Sequence, residues 1–272
     1  MNVAISLLTF NAAGFLDRNL GAVLATKGAA DLLVSDSGST DDTPARLAAL
    51  GQLGAFRVQL YAQNVGYIAA HNAALAAHPA CDVLVILNDD VLVGGGWLEA
   101  LLAPLATDPQ IAIVGPIGGC QSLRASGLGY CGATEDYVEG SCLALRAELA
   151  RQHGLFDPAF RWGYSEDADF SLRLRGLGYR IAHVPVPWQH TRDPRTPSPA
   201  TADREGLALY NAMLLRARWA DRLGRGVPAD DGVHRQRFAE TVRKRQEQSH
   251  ALRQPARADA PSRPIKLGAR LR

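Results

Sequence analysis

Three acidic groupings in this chain have residue types and spacing that could do chemistry. The first is Asn88-Asp89-Asp90, which follows directly on the apolar run Asp82–Leu87. Such a short run of Val, Leu and Ile reads as a strand buried on both faces, so the carboxylates fall at its carboxyl end. In open α/β sheets that edge binds ligands, and oxygen donors there suit a divalent cation with a phosphorylated ligand. An Asn-Asp-Asp turn that bonds only its own backbone is the simpler alternative. The second grouping is Asp36-Ser37-Gly38-Ser39-Thr40-Asp41-Asp42, joined further on by Asn64 and Gly66. Here Asp36 is a candidate acceptor for a base or ribose, with Gly38 and Ser39 letting the backbone turn closely around it. A plain loop followed by helix caps would look the same. The third is Glu166, Asp167 and Asp169 beside Trp162 and Tyr164, with His190 further along. Acids in the first turn of a helix favour its dipole, but three of them beside two aromatics exceed what a cap requires.

The elements that must position these groups alternate. Strands are predicted over 2–9, 31–35, 56–62, 81–87 and 111–114. Helices are predicted from about 13 to 25 with Asn11 as cap, after Asp42 or Thr43 with Pro44 in the first turn, from Asn64 to about 77, and from 97 to 106. That alternation predicts a parallel sheet with helices on both faces. The second half changes character: a Gly-rich passage over 115–132, a strand over 137–145, and a short helix from 146 ended by Gly154. A further helix is expected to be capped by Ser165, to bury Phe170, Leu174 and Leu177, and to stop at Gly176 and Gly178. A strand over 180–184 comes next, and an amphipathic helix over about 201–223 is expected to pack back on the domain.

Composition limits the partners. At 272 residues and 47% hydrophobic, the chain can bury a sizeable core. No apolar run is long enough to span a membrane, and the N-terminus reads as a strand rather than a leader. Cys81, Cys120, Cys131 and Cys142 lack zinc or redox spacing, so reduced thiols in a cytoplasmic protein are expected. Neither a dinucleotide-binding nor a P-loop glycine motif occurs. The net charge of +2 is uneven: residues 221–272 hold 13 Lys+Arg against 6 Asp+Glu. The expected organisation is a domain over 1–222, its nucleotide-binding half at about 1–115 and its acceptor half at about 116–222, followed by a basic, largely disordered tail over 223–272. Nucleic acid is not an expected partner; either the tail is simply solvated, or it touches acidic lipid at the inner face of a membrane.

In order and spacing, these residues resemble the family 2 glycosyltransferases of the GT-A fold, most closely their bacterial rhamnosyltransferase-like members. Thr9-Phe10-Asn11 is similar to the family's first motif, Asp36 to Asp41 to its nucleotide-binding motif, and Asn64-Val65-Gly66-Tyr67 with Asn72 to its NxGF motif. Asn88-Asp89-Asp90 stands where the family has its metal motif, with Asn in place of the first acid. Glu166-Asp167 stands at its [E/D]D motif, and His190 at a frequent metal-binding histidine. The similarity covers about residues 1–192.

The resemblance implies a hexosyl- or rhamnosyltransferase that takes a UDP-, dTDP- or GDP-sugar and passes the sugar to a glycan or lipid-linked acceptor, inverting the anomeric centre. It implies nucleotide contacts at Thr9, Asn11, Asp36, Gly38, Ser39, Asn64, Gly66 and Asp89. Mg²⁺ or Mn²⁺ would be held by Asp90 and His190, the base would be Asp167 with Glu166 second, and Trp162 and Tyr164 would line the sugar pocket. Two other readings fit the residues: a sugar nucleotidyltransferase, whose Gly-rich loop with Arg and Lys is missing here, and a catalytically silent nucleotide-sugar-binding protein.

Overall fold

A computed structural model describes residues 1–116, 118–119, 137–191 and 204–219. The elements are β1 (Val3–Thr9), α1 (Leu16–Thr26), β2 (Asp31–Asp36), α2 (Thr43–Gly51), β3 (Arg57–Leu60), α3 (Gly66–Ala77), β4 (Val83–Asn88), β5 (Val91–Val93), α4 (Trp97–Thr107) and β6 (Ile111–Gly115). They continue with β7 (Gly118–Gly119), β8 (Tyr137–Val138), β9 (Cys142–Arg146), α5 (Ala147–His153), α6 (Glu166–Gly176), β10 (Arg180–His183), β11 (Trp188–His190) and α7 (Arg204–Trp219).

Seven strands form one sheet in the order β10-β6-β9-β4-β1-β2-β3. All run parallel except β9, which is antiparallel to both β4 and β6. Alternation of side chains divides the core between the two faces. Val83, Val85 and Leu87 of β4 pack with Leu16, Leu20 and Val23 of α1 and with Trp97 and Leu101 of α4. Leu84 and Ile86 point the other way, into a cluster with Ile68 and Leu75 of α3, Phe170 and Leu174 of α6, and Leu215 of α7. Burial of β4 on both faces is what its uninterrupted apolar sequence requires.

Register places the ends of the strands in one row. Thr9 pairs with Asp36 and Leu8 with Asn88, and the strand order turns back on itself between β1 and β4. A crevice outside the carboxyl ends of the strands at such a reversal is where ligands bind in this architecture.

Several sequence expectations are corrected. The first helix begins at Leu16 rather than Ala13, because Asn11 takes a left-handed backbone (φ 51°) and its side chain accepts the Thr40 amide at 2.8 Å instead of capping. The strand expected over 137–145 is broken at Gly140-Ser141, and its second part, β9, enters the sheet against the parallel direction. Leu177 is exposed, since α6 ends before it can turn inward. Ser165 does precede α6, but with a left-handed backbone (φ 67°) and no capping bond from its side chain.

As expected, α7 packs back on the core through Leu215. Cys81 and Cys142 are buried free thiols; Cys120 and Cys131 lie outside the described residues, as do the Gly-rich passage beyond Gly119 and the tail over 223–272.

Candidate active site

The ends of β1, β2 and β4 are tied together by their own polar groups. Asp36 is buried, and it accepts the Ser39 amide at 3.0 Å and the Ser39 hydroxyl. That hydroxyl in turn accepts the Asn11 amide at 2.8 Å. The Thr9 carbonyl accepts the Ser37 amide at 2.9 Å, while Thr9 Oγ1 is buried with no hydrogen-bond partner among the described residues. Ser37 donates to Asn64 Oδ1 at 3.0 Å, and the same oxygen accepts the Gly66 amide at 2.9 Å. At Gly38 the backbone is left-handed (φ 71°), and a Cβ there would stand 2.6 Å from the Asn64 nitrogen. Only glycine allows the two loops to approach this closely.

The acidic turn after β4 is pinned from three sides. Asp89 accepts the Phe10 amide through Oδ2 at 3.0 Å. Asn19, buried on α1, donates to the Asp89 carbonyl and to Thr191 Oγ1, both at 2.7 Å. The Asp90 carbonyl accepts the Thr191 amide at 2.7 Å, and β11 pairs antiparallel with β5 so that His190 lies opposite Val91. The imidazole of His190 lies outside the described side chains.

A second chain of bonds carries the site into the other half. The Asn88 amide donates to the Ser141 carbonyl at 2.9 Å, and the neighbouring Gly140 amide donates to Asp167 Oδ2 at 2.9 Å. The Ala168 amide bonds Asp167 Oδ1 at 2.7 Å. Burial raises Asp167 from 3.8 to about 6; the Gly140 and Ala168 amides oppose that shift, and the charge of Glu139 adds to it. Glu166 is buried with Oε2 unpartnered among the described residues, and burial together with the Asp167 charge holds its carboxyl well above the usual range.

Asp167, at about 6, is ionised near neutrality and able to take a proton, while burial and its neighbour's charge push Glu166 toward its protonated form. Asp169 belongs to neither role: it is buried and receives Arg173 Nε at 2.8 Å, with Arg218 and Trp219 Nε1 both at 3.0 Å.

Trp162 and Tyr164 stand before α6 with left-handed backbones (φ 65° and 77°) and part of each ring at the surface. The loop abuts the start of α3, where the Trp162 carbonyl accepts the Tyr67 amide at 2.6 Å and Gly66 faces the Trp162 backbone.

The sequence model of the family described as "Glycosyl transferase family 2" matches residues 5–131. Over that stretch the chain is similar to the family 2 glycosyltransferases. It is 27% identical over 223 residues to the N-acetylglucosaminyl-diphospho-decaprenol L-rhamnosyltransferase of Mycobacterium tuberculosis, covering 65% of this chain and 72% of that one. Among solved structures, the mannosyltransferase PcManGT from Pyrobaculum calidifontis, in complex with GDP-Man and Mn²⁺, superposes with a TM-score of 0.62. That match has 18% identity and covers 93% of this chain and 81% of the other. GalNAc-T7 with UDP, GalNAc and Mn²⁺ gives a TM-score of 0.67 at 16% identity, over 92% of this chain and 57% of that one. These likenesses show the GT-A fold.

For the glycosyltransferase, the donor set fits a hard cation in part. No group of three or more His, Cys, Asp or Glu side chains gathers among the described residues. Asp90 nonetheless stands on the pinned turn, with the backbone of His190 in register beside it. Oxygen and imidazole donors of these types suit an ion whose remaining ligands are phosphate oxygens and water.

Sequence reasoning missed Asn19, Asn211 and Gly140. Asn211, buried on α7, donates to the carbonyls of Phe160 and Arg161 at 3.2 Å and to that of Gly163, which fixes the loop carrying Trp162 and Tyr164. Asn19 and Asn211 each carried a legible signal, a lone amide on an apolar helix face. Gly140 carried none, since its partners are more than 25 residues away.

Proposed function

We propose that this enzyme transfers a sugar, with inversion, from a nucleotide-diphosphate sugar to a hydroxyl of a lipid-linked glycan in cell-envelope polysaccharide synthesis. The observation that carries the reading is the chain of bonds from the end of β4 through Ser141 and Gly140 to Asp167. It puts an ionised carboxylate beside the strand ends where a nucleotide diphosphate would lie. The similarity to a rhamnosyltransferase with a lipid-linked acceptor supports the acceptor class and favours a deoxyhexose or hexose as cargo.

In this reading the backbone turns at Gly38 and Gly66, with Thr9, Asn11, Asp36, Ser39 and Asn64, hold the nucleoside, while Asp89 fixes the loop after β1 against the acidic turn. Asp90 and His190 would hold Mg²⁺ or Mn²⁺, which supplies positive charge against the departing diphosphate. Trp162 and Tyr164 offer ring faces to the sugars. Asp167 takes the proton from the acceptor hydroxyl as that oxygen bonds the anomeric carbon from the face opposite the diphosphate. The anomeric C–O bond breaks and its electron pair leaves with the nucleoside diphosphate. Such a base contributes about 10²- to 10⁴-fold. No helix among the described residues is long and apolar enough to cross a membrane. The basic tail over 223–272 is a candidate contact for acidic lipid around a lipid-linked acceptor.

A panel of UDP-, dTDP- and GDP-sugars, screened by saturation-transfer NMR and then assayed with a polyprenyl-diphosphate glycan in Mn²⁺ or in EDTA, tests the proposal. The expected product is a glycan extended by one sugar of inverted anomeric configuration. Asp90→Ala is expected to abolish transfer and to weaken donor binding in Mn²⁺ far more than in EDTA. Metal-dependent donor binding without turnover on any acceptor would overturn the catalytic reading, and a retained anomeric configuration would overturn the inverting one.

A further inference from the structure

Tyr67 touches both walls of the Asp167 pocket from an element that belongs to the nucleotide side. Its amide donates to the Trp162 carbonyl at 2.6 Å, and its hydroxyl donates to the Gly140 carbonyl at 2.6 Å. Gly140 then donates its own amide to Asp167 Oδ2 at 2.9 Å. There is no slack in this arrangement: a Cβ on Gly140 would stand 2.6 Å from Tyr67 Oη and 3.5 Å from Asp167 Oδ2. The tyrosine ring is itself wedged, edge-on to His71 with centroids 4.2 Å apart and tilted against Phe156 at 5.5 Å. His71 is held in turn by Ser6 of β1, with Nδ1 2.8 Å from the hydroxyl.

We infer that Tyr67 is a positioning residue: by pinning the Gly140 carbonyl it aims the Gly140 amide at Asp167, so the first turn of α3 sets how strongly that carboxylate holds a proton. The inference rests on the reading of Asp167 as the base. A carboxylate that accepts an amide hydrogen bond is favoured in its ionised form, and loosening that bond favours the protonated one. Three other ionisable groups bear on Asp167: Glu166 on its own helix, Glu139 from the loop between β8 and β9, and Tyr67 itself from α3. Burial, followed by the charges of Glu166 and Asp167, pushes the Tyr67 phenol well above its ordinary value, so it stays a donor throughout the working range.

The test is Tyr67→Phe in the full chain, which keeps the ring and its packing and removes only the hydroxyl. Carboxyl ¹³C NMR titration, with the Asp167 signal assigned from its loss in Asp167→Asn, should show the Asp167 pKa rising by up to about one unit. The acid limb of the kcat profile should move by the same amount, lowering kcat most below neutrality and hardly at all at high pH. A titration and a profile that superimpose on those of the wild type would overturn the inference, whatever happens to stability. Should Asp167→Asn keep its kcat while Tyr67→Phe still moves the Asp167 titration, the base reading falls and the coupling stands. Gly140→Ala, which forces apart the same three groups, is read in the same way if Tyr67→Phe does not fold.

Discussion

The two halves of the site hold their carboxylates in opposite ways. On the nucleotide side, Asp41 is exposed, and burial, which pushes its pKa up, is outweighed by hydrogen bonds from Thr43 and the Ala13 amide, so its carboxyl sits below its ordinary value. On the acceptor side, burial dominates at Asp167 and Glu166 and drives both upward. The first arrangement stabilises an anion and suits a scaffold. The second makes an anion that gains by taking a proton, as a base must. The supports differ too: Asp36 and Asp41 are bonded by near neighbours and the adjacent loop, whereas the region over 160–167 is held by Tyr67, Gly140 and Asn211 from three separate elements.

The largest test of that contrast is Asp167→Asn, which keeps shape and removes basicity. It should lower kcat by about 10²-fold or more while donor affinity, read by calorimetry, stays near wild type. A mutant with near wild-type kcat would remove the functional half of the comparison.

The same substitution should change stability in the unexpected direction. Because the folded-state pKa of Asp167 is raised from 3.8 to about 6, the folded chain retains a proton between those values that the unfolded chain has released. The contribution of this group to stability therefore falls as pH rises through that window and levels off above it. Asp167→Asn avoids the penalty, so urea unfolding near pH 7 should show a gain of up to about 3 kcal/mol that vanishes below about pH 4. A loss at pH 7 would mean that the two amide bonds to Asp167, rather than its burial, dominate.

Asn211→Ala probes the remote support. Three buried or partly buried carbonyls lose a donor, with an expected cost of about 1–3 kcal/mol. Loosening of the Trp162–Tyr164 loop should raise the acceptor KM and leave donor affinity alone; a change in donor affinity instead would blur the division between halves. The smallest effect is expected for Asp41→Asn, which keeps an acceptor for one of the Thr43 and Ala13 amides and leaves the other to water. It should cost no more than about 1 kcal/mol of stability, with kcat unchanged.

Much of this was legible in the sequence because it depended on local patterns. The uninterrupted apolar run before Asn88 fixed β4 as a doubly buried strand, and the alternation of strands with helices up to β6 fixed a largely parallel sheet. Polar clusters at Asp36, Asn64 and Asn88 then had to fall on one edge, since every parallel strand presents its carboxyl end to the same side. What followed β6 was harder to read. Period-two patterning cannot reveal that β9 runs antiparallel, because strand direction is set by the path of the connection rather than by the residues in the strand. Asn11 had the composition of a helix cap, but its amide oxygen found the Thr40 amide instead. Glu166, Asp167 and Asp169 look alike in the sequence and were separated only by the fold, through what lies against each. Asp169 meets two guanidinium groups and an indole, Asp167 meets two amides, and Glu166 meets burial and its neighbour's charge. The sequence determined that acids stand in the first turn of a helix; tertiary packing decided that Asp169 is paired with guanidinium groups, that Glu166 is buried beside its neighbour's charge, and that Asp167 is held by two amides with a raised affinity for a proton.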